Sequence, residues 1–155
     1  MVVEELVSGA MTDQEIFADD EVLKGELARD EIYPPLGISI LAAWLEQKGY
    51  EVRLRDDSIE SMEEIAAQFD WADVIGISSL TPNARRAREL GQICRQEHGK
   101  PVILGGPHPT TNPEFFLDSG AADICVQGEG DETLLELLKV IYEPERWDEV
   151  QGVTF

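Results

Sequence analysis

Short apolar stretches alternate along the chain with segments of helical periodicity. Val102, Ile103 and Leu104 form a continuous apolar run within PVILGGPHPTT, the pattern of a strand covered on both faces. Ala72–Ser78 (ADVIGIS) and Asp123–Gln127 (DICVQ) read the same way. Glu51–Arg55 (EVRLR) alternates instead, which predicts a strand near the sheet edge. A last short strand is expected at Val153–Phe155. Between these runs, Ile38, Leu41, Ala42 and Leu45 repeat at i, i+3, i+4 and i+7 beside Trp44. They predict an amphipathic helix that follows Pro34-Pro35 and stops at Gly49. Ser61 with Glu64 is a capping box ahead of Met62, Ile65, Ala66 and Phe69. Asn83 is placed to cap a helix whose core stripe is Ala87, Leu90, Gly91 and Cys94, ending near Gly99. Asn112-Pro113 opens a short helix through Phe115, Phe116 and Leu117. Leu134, Leu135, Leu137, Leu138 and Ile141 give another strongly apolar helical face.

The first 33 residues follow no such pattern. VVEELV has strand-like ends, but the adjacent Glu4 and Glu5 suit a buried central strand poorly, so no convincing first strand is read there. Thr12 or Asp13 would cap a helix through Ile16, Phe17, Leu23 and Leu27, broken at Gly25. The density of acids fits a surface lid or mobile loop equally well. The chain therefore divides into residues 1–33, an acidic segment of weak or irregular structure, and residues 34–155, a Rossmann-like domain. Strands alternating with helices predict an α/β fold. The expected architecture is doubly wound and flavodoxin-type, a mainly parallel five-stranded sheet with helices on both faces and right-handed crossovers. No internal repeat or low-complexity segment interrupts it.

A length of 155 residues suffices for one domain with a real core. The formal net charge of −20 argues against nucleic acid and against docking on anionic lipid, since both would be repelled. Solubility accounts for such a charge, as does a partner domain with a basic face. No apolar run is long enough to span a bilayer and the acidic N-terminus is not a signal peptide, so a cytoplasmic location is expected. Cys94 and Cys125 each fall on an apolar face and read as buried thiols rather than a disulfide or metal pair. Arg85, Arg86, Arg88 and Arg95 lie off the core stripe of their helix and read as a solvated face that balances nearby acids.

The candidate chemistry sits where the strands end. Gly105 and Gly106 remove two side chains there, which lets another molecule approach the backbone closely. The same pair would also serve a tight strand-to-helix turn with no ligand. Asp56–Ser58, Ser78–Asn83, Gly105–Thr111 and Gly128–Asp131 all follow strands, and in a parallel doubly wound sheet such loops share one edge. Small residues and hydroxyls dominate that rim. It offers backbone donors and acceptors to a large, flat, amide-bearing ligand and no obvious machinery for proton transfer.

The segments PPLGISILAAWLEQKGYEV, ADVIGISSLTPN, PVILGGPHPT and ADICVQGEGDETLLELL resemble the N-terminal cobalamin-binding domain of cobalamin-dependent radical S-adenosylmethionine enzymes. The resemblance covers about residues 32–155, and the order and spacing of the four segments make it specific. It implies cobalamin in a cleft at the carboxyl edge of the sheet, with the dimethylbenzimidazole tail beside the loop holding Ser78 and Leu80. Gly105 and Gly106 would pass close to that tail, and Gly128, Glu129 and Gly130 would line the opposite wall. Ser78, Ser79, Thr81 and Asn83 would give polar contacts, Leu80, Pro107 and Pro109 apolar walls. The Asp-x-His-x-x-Gly motif that supplies a cobalt-binding histidine in carriers of the methionine synthase type is absent. His98 is expected at a helix end, and His108 reads as a loop residue packing near the tail. The resemblance therefore implies base-off cobalamin with no histidine ligand and no protein metal ligand. The Cys-x-x-x-Cys-x-x-Cys motif of the radical domain is also missing. An iron–sulfur cluster and S-adenosylmethionine would then belong to a partner catalytic domain, of methyltransferase or cyclase type, and the chain reads as an excised module that is not catalytic alone. A homodimer is compatible with this reading as well.

Three rival readings share the sheet. A receiver domain would use Asp56, Asp57, Ser78 or Ser79 and Lys100, but Lys100 precedes its strand instead of following it. A hydrolase would pair Ser78 or Ser79 with His108, without a Gly-x-Ser-x-Gly elbow. A ligand-free interaction domain would carry the acidic N-terminal segment over the cleft.

Overall fold

The computed structural model describes the backbone of Val2–Leu6 and residues 35–155. The helix read through Ile16–Leu27 lies outside the described residues. Strands Val2–Leu6 (β1), Arg53–Asp56 (β2), Ile75–Ser79 (β3), Val102–Gly105 (β4), Ile124–Val126 (β5) and Val153–Thr154 (β6) form one sheet in the order β2-β1-β3-β4-β5-β6. All pairings are parallel except β5 with β6. The order 2-1-3-4-5 is that of flavodoxin-like doubly wound sheets, with β6 added antiparallel at one edge. β2 forms the other edge, in keeping with its alternating pattern.

The sheet has six strands among the described residues instead of the expected five. The added one is β1, inserted between β2 and β3 despite its two glutamates. In register, Glu4 stands opposite Ile77 and Glu5 opposite Ser78. Glu5 therefore sits at the carboxyl end of the sheet, where a central strand leaves its covered middle.

The helices are Leu36–Gln47 (α1), Met62–Ala66 (α2), Ala84–Ile93 (α3), Pro107–Thr111 (α4), Glu114–Leu117 (α5) and Asp131–Val140 (α6). The period-two alternation of the strands divides their side chains between two cores. Ile75, Ile77, Val102, Leu104 and Cys125 face one layer with Ile65, Leu90 and Phe116 of α2, α3 and α5. Val74, Ile103, Ile124 and Val126 face the other, with Ile38 and Leu45 of α1 and Leu134, Leu137 and Val140 of α6. Burying one such side chain contributes about 1.5–3 kcal/mol, so both helical layers are firmly held.

The capping box at Ser61 and Glu64 is present. α3 runs on through a π-helical turn, Cys94–His98, and ends at Gly99 with φ 62°. α3 also packs closely on the segment before β5, because a Cβ on Gly91 would overlap the Ala121 carbonyl. Within Gly105–Thr111, read as a loop, Pro107–Thr111 forms the one-turn helix α4, with Gly106 at its N-cap.

The arginines do balance nearby acids, with Arg85 exposed and Arg86, Arg88 and Arg95 partly buried. Arg95 pairs with Asp123 at 2.8 Å and donates to the Gly120 carbonyl at 2.7 Å. The other Asp123 oxygen accepts the Val102 backbone N–H at 2.8 Å. Arg86 pairs with Asp57, and Arg88 lies over the Phe115 ring. Cys94 and Cys125 are both free and buried, and burial pushes each thiol up to about 12. Among the described residues no helix is long and apolar enough to cross a membrane.

Candidate functional site

A cleft of about 330 Å³ opens at the carboxyl end of β3, β4 and β5, on the sheet face covered by α1 and α6. Gly37, Ile38 and Leu41 of α1 form one flank. Gly128, Glu129, Gly130, Asp131 and Leu134, at and before the start of α6, form the other. The floor is Gly76, Ile77 and Ser78 of β3, Ile103, Gly105 and Gly106 on β4, and Val126 of β5. Six of these fifteen residues are glycine, so much of what the cleft presents is main chain.

The glycines are of two kinds. Among the described residues a Cβ added at Gly37, Gly105 or Gly128 would meet nothing within 4 Å, although the φ of 76° at Gly128 by itself also favours glycine. At these positions the missing side chain leaves room in the cleft. Gly106 is different. It has φ 98°, and a Cβ there would lie 2.9 Å from the Ser79 carbonyl oxygen and 3.0 Å from Ser78 Oγ. Its bareness lets β4 turn tightly against the end of β3. The GG pair thus supports both readings made from sequence, Gly105 by opening space and Gly106 by making the turn.

Of the candidate residues, Ser78, Gly105, Gly106, Gly128, Glu129 and Gly130 converge on this cleft. The others belong to the adjoining part of the same rim. Ser79 is fully buried, and its Oγ donates to the Leu80 carbonyl at 3.1 Å and to Asn83 Oδ1 at 3.2 Å. Asn83 Oδ1 also accepts the Leu80 backbone N–H at 2.8 Å. Asn83 therefore braces the turn between β3 and α3, and its side chain makes no capping bond to α3, contrary to the expected role. Among the described residues its Nδ2 is buried without a partner, which leaves its two N–H donors unused at the rim. Thr81 and Pro107 are exposed and Leu80 is half buried.

His108 Nδ1 lies 3.2 Å from Thr81 Oγ1, and its ring meets Phe115 and Phe116 edge-on at 5.4 and 5.6 Å. Burial holds the imidazole below its ordinary pKa, so it is neutral at pH 7. His98 is at the other end of the sheet, before β4, with Nδ1 2.7 Å from Asp70. The cleft is lined by neither histidine.

This geometry disposes of two rival chemistries. Lys100 Nζ reaches the Asp70 carbonyl at the amino end of the sheet. Asp56 accepts from Ser58, and Asp57 is held by Arg86, so no receiver-type triad assembles. The hydroxyl beside His108 is Thr81, while Ser79 is committed to its own turn.

Sequence reasoning missed Gly37, Ile38, Leu41, Gly76, Ile77, Ile103, Val126 and Leu134. Gly76 carried a signal, a lone glycine inside a buried strand, which marks close approach of another backbone or a ligand. The α1 and α6 residues carried none beyond their apolar stripe.

Comparison with known proteins follows the same lines. The family model for the B12 binding domain matches residues 27–138. The chain is 34% identical over 109 residues to an uncharacterised methyltransferase of Synechocystis, covering 70% of this chain and 19% of that protein. It is 31% identical over 111 residues to the 2-(S-pantetheinyl)-carbapenam-3-carboxylate methyltransferase of Streptantibioticus cattleyicolor, covering 67% of this chain and 16% of that protein. The chain is thus a small fraction of the length of these relatives. Among solved structures, it is similar to the radical S-adenosylmethionine methyltransferase TsrM from Kitasatospora setae, solved with cobalamin and an iron–sulfur cluster bound. The TM-score is 0.69 at 18% identity, over 98% of this chain and 28% of that one, a likeness of fold.

Proposed function

The chain belongs to the B12-binding domain family, and from that premise we propose that its cleft takes the nucleotide arm of cobalamin for a radical S-adenosylmethionine catalytic domain. The observation that carries this reading is the set of open glycines. Gly37, Gly105 and Gly128 would all accept a Cβ without contact, yet all three border one cleft. Such a cradle fits a bulky planar group lying against bare main chain. Ile38, Leu41, Ile103, Val126 and Leu134 supply the apolar surface for an aromatic tail. Ser78 and the backbone of Gly105–Gly106 and Gly128–Gly130 supply polar contacts. Ser79, Leu80, Thr81, Asn83, Pro107 and His108 lie along the same sheet edge, where the macrocycle would rest.

Cobalamin, when bound, supplies a cobalt centre for methyl or radical chemistry. The chain itself contributes position and exclusion of water. We assign no histidine below the cobalt and expect base-off binding. His108 is engaged with Thr81 and two phenylalanine edges, and His98 is at the far end of the sheet. The parent activity, of methyltransferase or cyclase type, would reside in the catalytic domain with its iron–sulfur cluster and S-adenosylmethionine. A cytoplasmic location goes with that reading, and a homodimer is compatible with it.

The test is an absorbance titration of this chain with hydroxocobalamin. The expected result is saturable binding with a base-off spectrum. A bound base-on spectrum would remove the ligation claim, and absence of saturable binding would remove the cobalamin reading as a whole.

A further inference from the structure

One hydroxyl joins the two glycine-lined loops that face each other across the cleft. The β4–β5 ladder pairs Ile103 with Ile124 and Leu104 with Cys125, and stops short of both loops. Past that point, Thr110 provides the link. Its Oγ1 donates to the Gly106 carbonyl oxygen at 2.9 Å and accepts the Gly128 backbone N–H at 3.0 Å. The Gln127 side-chain amide reaches the Thr110 carbonyl at 3.5 Å. Gly106 and Gly128 have φ of 98° and 76°, conformations in which glycine has wide freedom. Two loops with such freedom need an external restraint to keep a fixed separation.

We propose that Thr110 is a positioning residue that sets the gap between the Gly105–Gly106 and Gly128–Gly130 walls, and so the affinity of the cleft for its ligand. The role needs a group that gives one hydrogen bond and takes another from the same atom. Serine meets that requirement. Valine, of similar shape, does not, and it leaves the Gly128 N–H without its partner.

The inference rests on the cobalamin reading, because hydroxocobalamin is the probe. This chain and its Thr110→Val and Thr110→Ser variants are titrated with hydroxocobalamin. Backbone hydrogen exchange is followed in the ligand-free proteins, with β3 and β4 protection as the check on folding. The expected result is roughly tenfold weaker binding for Thr110→Val, on the scale of one lost hydrogen bond. Thr110→Ser should bind within about twofold of wild type. Exchange at the Gly128 amide should speed up in Thr110→Val only. Thr110→Val binding as tightly as wild type overturns the proposal, as does Thr110→Ser weakening as far as Thr110→Val. Unchanged Gly128 exchange in Thr110→Val also overturns it. Failure of the wild type to bind overturns the cobalamin reading instead, and with it the use assigned to the link, while the exchange data still show whether Thr110 restrains the loop.

Discussion

Replacing Gly105 by valine separates ligand binding from folding. The residue ends β4, its φ lies outside the left-handed region, and a Cβ there meets nothing within 4 Å. The fold therefore has room for a side chain to start there. Glycine within a strand costs roughly 0.5–1 kcal/mol relative to alanine, so the variant should be as stable as the wild type or slightly more so. The added carbons project into a cleft of only about 330 Å³. Forcing surplus carbon into a filled site costs about 1–3 kcal/mol, a loss of roughly 5- to 150-fold in affinity. At cobalamin concentrations near the wild-type dissociation constant, occupancy would fall from about one half to about one sixth or less. Absorbance titration with hydroxocobalamin reads the affinity, and thermal melting by circular dichroism reads the fold. Gly105→Ala, which adds one carbon, should fall between. A Gly105→Val protein with wild-type melting and wild-type affinity would show that the ligand does not pass Gly105, and the cradle argument would fail.

The neighbouring glycine should behave in the opposite way. Gly106 has φ 98° and ψ −175°, a region essentially closed to other residues, so Gly106→Ala should lower unfolding free energy by about 1–3 kcal/mol in a denaturant titration. Cys94 and Cys125 have thiols held at about 12 in the folded chain against an ordinary 9.0. Between those values the unfolded state releases protons that the folded state keeps, so stability falls as pH rises, by about 1.4 kcal/mol per pH unit per thiol. The Cys94→Ala, Cys125→Ala double variant should lose that alkaline slope in denaturant titrations from pH 8 to 11. Burial raises the pKa of Asp57, with Arg86 opposing the shift. Arg86→Ala should therefore destabilise the fold at pH 7, and the deficit should shrink as acid protonates Asp57. A deficit independent of pH would show that Arg86 acts through packing instead.

Much of the architecture is legible in the sequence because burial on both faces leaves an apolar run too dense to mistake. Ile75, Ile77, Val102, Leu104 and Ile124 are such cases. β1 is not legible, since Glu4 and Glu5 break the run and its place in the sheet depends on partners far along the chain, Arg53–Asp56 and Ile75–Ser79. Two of the four glycine-bearing stretches of the cleft follow strands and announce themselves through Gly105, Gly106 and Gly128. The flank from α1 does not, because Gly37, Ile38 and Leu41 look like any amphipathic helix until its packing against α6 and the sheet is known. Residues Leu80–Asn83 and Pro107–His108 show the converse limit. Their loops follow the right strands, but local hydrogen bonds turn them to the adjoining part of the rim.

The alternation that splits each strand between two cores has an evolutionary consequence. In β3, Ile75 and Ile77 anchor one layer while Gly76, one position away, borders the cleft on the other side. A sheet built this way can change what it holds by regaining or shedding a single methyl on one surface, and the opposite surface registers little of the change. Descendants of such a domain could drift toward smaller, larger or no guests while their scaffold stays recognisably the same.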